Sequence, residues 1–206
     1  MANKSGKNTE ERILNAAIEV FCRDGIQGAR MQDIADLAHI NRAMLHYYFR
    51  DKKSLSHDTI ERITLKFREQ VHKTIDADIP IDEKLSLYIE EMINIYSENI
   101  ELMLFVLHES VRDKELISKI FENPFRGKNT FFDQLKLAVD KGSIKPFTKE
   151  EFVVFISSLC AFPFLAGTLF KVIFEFKEEQ WNFFLEQYKK RLPELIKRSI
   201  YVNYDK

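Results

Sequence analysis

HINRAMLHYYFRDKKSL, from His39 to Leu55, is the stretch whose reading decides the fold. Asn41 suits a helix N-cap, because its side-chain oxygen accepts from the exposed amides of a first turn. At 100° per residue, Leu45 and Phe49 then share one side of a short helix running from about Arg42 to Phe49. The opposite side carries Ala43 and Tyr47, flanked by Met44 and His46. Arg42 sits in the first turn, where a long side chain reaches past the helix end. A core helix would not carry this polar face, and an ordinary solvated helix would not carry these rings.

Upstream, a helical period places Ile13, Leu14, Ala16, Ala17, Val20 and Phe21 on one face of a first helix. Asn8 or Thr9 is expected to cap its start, with Glu11 closing a box back onto Asn8. Gly25 fits the residue just past its end. A second short helix, Met31 to Ala38, leads through a tight turn into the helix already described, which makes a helix-turn-helix. A recognition helix enters the major groove of DNA N-terminus first, so its early residues meet base edges. Arg42 is then placed for a bidentate contact with guanine, and Ala43 and Met44 for thymine methyl groups. His46, Tyr47 and Tyr48 offer donors to phosphates. Lys52 and Lys53 open the next helix, where free amides and the helix dipole favour a phosphate. Phosphate contacts set register, and base contacts set sequence preference.

Bulk properties agree with a globular protein and do not by themselves announce nucleic acid. The 206 residues are 45% hydrophobic and 31% charged, with a net charge of −1. Residues 1–56 hold nine Lys or Arg and seven Asp or Glu, a net of +2 against −3 for the remainder. That asymmetry permits an N-terminal nucleic-acid site without requiring one. Cys22 and Cys160 are too few and too far apart for a disulfide framework or a zinc site. The polar start MANKSGKNTEER lacks an apolar signal region, so a cytoplasmic location is expected. Strand signals are nearly absent, and the fold class expected is all-α. Further helices are expected over Lys52–Lys73, Ile81–Ser97, Glu101–Val111, Lys114–Phe121, Gly127–Lys141, Lys149–Phe174 and Glu178–Ser199.

From Thr9 to Leu55 the chain resembles the DNA-binding domain of the TetR family, the tetracycline-repressor-like regulators. The resemblance is carried by Ile13, Ala16, Ala17, Phe21 and Gly25, by Asp33–Ala35 (DIA), by Ala38, by Leu45–Phe49 (LHYYF) and by Asp51–Leu55 (DKKSL). It implies a helix-turn-helix domain over residues 1–52 and a helical effector-binding and dimerisation domain over 53–206. It assigns base contacts to Arg42, Ala43, Met44 and His46, and phosphate contacts to Gln32, Tyr47, Tyr48 and Lys52. There are departures. Ala29 and Arg30 stand where the family has Thr or Ser, so the second helix lacks its usual cap and Arg30 is free to meet a phosphate. His39 stands at a usual glycine, in a turn that calls for positive φ. Asn41 replaces a small Ser or Thr, Ala43 a common Gly, and His46 a usual Tyr.

By the same resemblance the protein is a homodimer through its last two helices, holding two recognition helices one DNA turn apart, ~34–36 Å, over a near-palindromic operator. The family's effector pocket lies among the middle helices, where Tyr96, Met103, His108, Phe132, Leu135, Cys160 and Phe164 are the candidate lining residues. Thirteen of the 18 Phe fall between Phe125 and Phe184, which favours an apolar or aromatic effector. No cofactor and no metal is expected. Residues 152–170 contain no charge and are long enough for a membrane span, yet an all-round apolar helix also serves a core or a subunit interface. Chemistry-bearing motifs are sparse. Glu69 and His72 form a lone Glu-x-x-His pair, where a di-iron bundle needs two such pairs and two further Glu. The expectation is therefore a ligand-responsive repressor. A small helical enzyme and a membrane-tethered interaction protein, each with an incidental N-terminal resemblance, stay open as alternatives.

Overall fold

The computed structural model describes residues 2–115, 118 and 130–203. Among the described residues are ten helices and no strand: α1 (Ala2–Gly28), α2 (Met31–Leu37), α3 (Arg42–Tyr48), α4 (Lys52–Ile75), α5 (Ile81–Glu98), α6 (Ile100–Arg112), α7 (Thr130–Asp140), α8 (Lys149–Leu165), α9 (Gly167–Ile173) and α10 (Glu178–Ile200). They form two compact units, Met1–Lys66 with Glu101–Glu122, and Phe67–Ile100 with Asn123–Lys206. Of the helix expected over Lys114–Phe121, residues 116, 117 and 119–121 lie outside the described residues.

In the first unit the apolar face of α1 is fully engaged. Ile13, Ala17 and Phe21 are buried, together with Ile34 and Ala35 of α2 and Leu45 of α3. Phe21 also stacks on Phe105 of α6, centroids 6.3 Å apart and rings 8° from parallel, so α6 completes this unit. One expectation fails. α1 runs back to Ala2, so Asn8 and Thr9 lie within the helix and do not cap it. Residues 2–8 contain no proline, and glycine or asparagine costs a helix only about 1 kcal/mol or less, so a helix anchored at Ile13 propagates backwards. Gly25 does break it. Its φ of 67° and ψ of 163° lie in a region that essentially only glycine occupies.

The second unit is built around α5, which packs on α7, α8 and α10. Leu85, Ile89 and Ile93 meet Phe131 and Leu135, Phe152, Ile156 and Cys160, and Leu192, Ile196 and Ile200. α8 begins with a reciprocal cap, in which the Glu151 amide donates to Thr148 Oγ1 at 3.1 Å and the Thr148 amide to Glu151 Oε2 at 2.8 Å. The single helix expected over Lys149–Phe174 is two, α8 and α9, bent by 64° at Ala166. Pro163 supplies a physical reason: it has no N–H for the Leu159 carbonyl and its ring crowds that oxygen. The Tyr188 hydroxyl of α10 donates to Leu159 O instead, at 2.8 Å. Gly167 opens α9 where a Cβ would come within 3.2 Å of the Trp181 ring, which is how closely α9 approaches α10. No single helix among the described residues is long and apolar enough to cross a membrane.

Candidate nucleic-acid interface

The turn between α2 and α3 follows from hydrogen-bond accounting at a helix end. The Ile40 amide donates to Ala35 O at 3.0 Å and the His39 amide to Asp36 O at 3.1 Å. These are the two bonds of a Schellman closure, with His39 in the left-handed position at φ 53°. A glycine would adopt that φ without steric cost; His39 bears it. Arg12 of α1 reaches the turn, its Nη2 donating to Ala38 O at 2.7 Å and His39 O at 3.3 Å, its Nε to Ala38 O at 3.3 Å. No sequence period pointed to Arg12, because the contact joins residues 26 apart. Asn41 then caps α3, accepting from the Met44 amide at 2.7 Å, as expected. Replacing Asn41 with Ala is expected to cost about 0.5–2 kcal/mol of stability, and Asn41→Ser only a few tenths. Denaturant unfolding of the full chain checks this; equal midpoints for all three proteins would remove the cap's contribution.

α3 turns its two sides as the sequence implied. Leu45 is 0% exposed and Phe49 is buried. Tyr47 is 84% exposed, and Arg42, Ala43, Met44 and His46 share its open surface. Tyr48 is half-buried, its ring edge-on to Tyr47 at 5.4 Å. His46 Nδ1 lies 3.2 Å from Arg50 O, a carbonyl that only accepts, so this nitrogen carries the proton. Nε2 is then the acceptor for Arg42 Nε–H, 3.4 Å away, leaving the terminal guanidinium nitrogens clear. On α2, Gln32 Nε2 donates to Asp36 Oδ1 at 2.7 Å and stays exposed. Arg30 stands exposed at the N-cap position with an extended backbone and no side-chain cap bond.

At the start of α4 the arrangement differs from the expectation of free amides. Asp51 accepts from the Ser54 amide at 2.8 Å, and bonds from the Ser54 and Lys53 amides hold its carboxyl below the usual range. An Asp ahead of a helix was a readable N-cap signal. Lys52 spends two donors on main-chain oxygens, Gln27 O at 3.0 Å and Ala29 O at 3.1 Å, clasping α4 to the link between α1 and α2. One N–H of Lys52 remains for a phosphate, whereas Lys53 is exposed. Close by, a cleft of about 360 Å³ gathers Lys52, Lys53, His57 and Arg112 with Glu109 and Asp113. His57 Nε2 lies 3.4 Å from Asp113 Oδ2.

Residues 13–58 match the family model described as bacterial regulatory proteins, tetR family. Over this segment the chain is similar to the TetR family. The repressor NicS of Pseudomonas putida is 38% identical over 61 residues, 30% of this chain and 29% of NicS. The probable regulator YttP of Bacillus subtilis is 23% identical over 77% of this chain and 78% of its own. Solved structures share the fold. A putative regulator from Saccharomonospora viridis, determined in complex with choline, has a TM-score of 0.69 at 17% identity, covering 93% of this chain and 97% of that one. SCO4942 from Streptomyces coelicolor has a TM-score of 0.68 at 20% identity, covering 93% and 98%. The two sequence relatives are named as transcriptional regulators, and with the matched segment they carry the coarse reading of the chain as a DNA-binding regulator.

The residues expected to line an effector pocket are dispersed. Leu135 and Cys160 are buried in the core of the second unit, with Tyr96, Phe132 and Phe164 packed against it. Met103 and His108 belong to the first unit, where His108 Nδ1 meets Glu109 Oε1 at 3.1 Å. A different set of side chains encloses space. A cavity of about 600 Å³ in the second unit is walled by Leu159, Phe162, Pro163, Phe170, Phe174, Phe176, Trp181, Phe184 and Tyr188, with Ser158. Sequence reading counted these rings without placing them, because they come from three helices brought together by the bend at Ala166. Two glutamine oxygens, Gln70 Oε1 and Gln134 Oε1, are buried with no partner among the described residues. Burial pushes the Cys160 thiol up to about 12, and burial with the Glu101 charge pushes Cys22 up to about 11. Neither is a thiolate at neutral pH, so neither is primed as a nucleophile. His72 Nδ1 lies 3.3 Å from Asp76 Oδ2.

Proposed function

We propose that the chain is a ligand-responsive repressor that binds a near-palindromic operator as a homodimer and releases it when a small apolar or aromatic effector binds. Residues 1–52 read the DNA, and residues 53–206 hold the effector and the dimer contact. The observation that carries this reading is the division of α3, with Leu45 sealed in the core and Arg42, Ala43, Met44, His46 and Tyr47 turned outward. In this arrangement Arg42 reads a guanine, Ala43 and Met44 touch thymine methyl groups, and Arg30, Gln32, Tyr47, Tyr48, Lys52 and Lys53 meet phosphates.

Dimerisation is supported by the apolar surface of α8 to α10. Val154, Phe162, Leu169, Val172, Ile173, Phe174, Phe183 and Leu195 are exposed on these helices and the link after α9. A two-fold contact would cover the same patch on both copies. The ring-walled cavity supports an apolar or aromatic effector, and its faces would also suit an ammonium group. The choline in the Saccharomonospora viridis protein is a small cation of that kind. Effector and operator would be coupled through α4, with about 1–3 kcal/mol giving roughly 5–150-fold weaker operator binding. A regulator of this kind acts where the chromosome is, in the cytoplasm.

Selection of bound DNA from a random pool, followed by gel shift across a salt series, tests the reading. A recovered inverted repeat with half-sites one turn apart is the expected result. Lys53→Ala should weaken binding to all sequences and reduce the salt slope by about one. Lys53 is the cleaner probe than Lys52, whose loss also opens the clasp on Gln27 and Ala29. Failure to retain any DNA would sink the proposal, and an unchanged salt slope would remove Lys53 from the phosphates.

A further inference from the structure

We infer that Arg12 is a positioning residue for recognition: its guanidinium locks the turn that aims α3. The inference rests on the DNA-binding reading above. Once the Schellman bonds are made, the Ala38 and His39 carbonyls are left pointing out of the turn, and Arg12 satisfies both through three N–H···O contacts of 2.7–3.3 Å. His39 lies between them at φ 53°, a conformation that a side chain disfavours. The helix it aims is short, with seven residues from Arg42 to Tyr48, about 10 Å at 1.5 Å per residue. A 20° change at the turn would carry its far end roughly 3–4 Å, more than a hydrogen bond to a base edge tolerates. Beneath it, Leu45 and Phe49 hold the helix down by non-directional packing, which resists lifting far better than it resists swinging. The direction of α3 is therefore assigned to the charge-assisted bonds from α1.

The test uses the full chain with three variants: Arg12→Met, Arg12→Lys, and Arg12→Met combined with His39→Gly. Each is measured for operator binding, for binding to unrelated DNA, and for hydrogen exchange at the His39 and Ile40 amides without DNA. Arg12→Met should weaken operator binding about tenfold, in keeping with a lost charge-assisted bond. Binding to unrelated DNA should stay within about twofold, because phosphate contacts do not depend on aim. The Ile40 amide should exchange about tenfold faster. Adding His39→Gly should recover most of the lost affinity, since glycine holds a positive φ without steric cost. A loss of folding would instead weaken binding to operator and unrelated DNA alike. Arg12→Lys, with one ammonium in place of the fork, should fall between, and it carries the test if Arg12→Met folds poorly. Unchanged operator binding with unchanged Ile40 exchange overturns the inference, and so does equal weakening on operator and unrelated DNA. If the wild-type chain retains no DNA, the regulator reading fails on its own. The exchange measurements then still decide whether Arg12 holds the turn.

Discussion

Placing aspartates at Val172 and Phe183 together is expected to leave a folded monomer whose operator affinity falls on the order of 10²–10⁴-fold. That range is what a second, tethered recognition unit adds to the first. The two side chains are 72% and 68% exposed in the protomer, so the substitutions should leave its core and its unfolding midpoint intact. A two-fold contact would bury both, and a desolvated carboxylate without a partner is strongly unfavourable. Sedimentation velocity at micromolar concentration and a gel shift on the selected operator read the two consequences separately. A variant that remains a dimer would move the interface away from α9 and α10. A monomer that binds as tightly as wild type would leave the dimer standing but remove its role in affinity.

Arg42→Ala is expected to relax preference at one operator position in each half-site, by about 1–3 kcal/mol or roughly 5–150-fold in discrimination. The guanidinium is steered before DNA arrives: its Nε faces His46 Nε2 at 3.4 Å, and His46 is held in turn by Arg50 O. The terminal nitrogens keep the fork geometry that guanine requires. His46→Ala should therefore soften selectivity at the same position by less. A randomised-site library measures both. Selectivity unchanged at every position would take Arg42 off the base edges.

Much of the first unit was legible because its determinants are local. The spacing of Leu45 and Phe49 set which side of α3 is buried, and Asn41 set where it begins. The positive φ at His39 was expected only through the resemblance, which has glycine at that position. The errors there were also local. Asn8 and Thr9 looked like a helix start, but nothing before them stops a helix, and the Asp51 cap went unread in front of two conspicuous lysines. The second half resisted for another reason. An apolar run such as Phe152–Phe170 states that side chains avoid water and leaves open which ones face the core, which the cavity and which the outside. Leu135 and Cys160, expected as pocket residues, are buried in the core cluster of the second unit, and Phe170 and Trp181, not among the expected ones, wall the cavity.

What the sequence determined by itself was the set of helices of the first unit, the polarity of their faces and the turn chemistry between them. These depend on residues within one or two turns of each other. What only the tertiary structure decided was the reach of Arg12 across 26 residues to the α2–α3 turn, the clasp of Lys52, and the bond from Tyr188 to the Leu159 carbonyl that Pro163 frees. Each depends on a pair of groups brought together by packing, and no periodicity along the chain records which distant carbonyl a side chain will find.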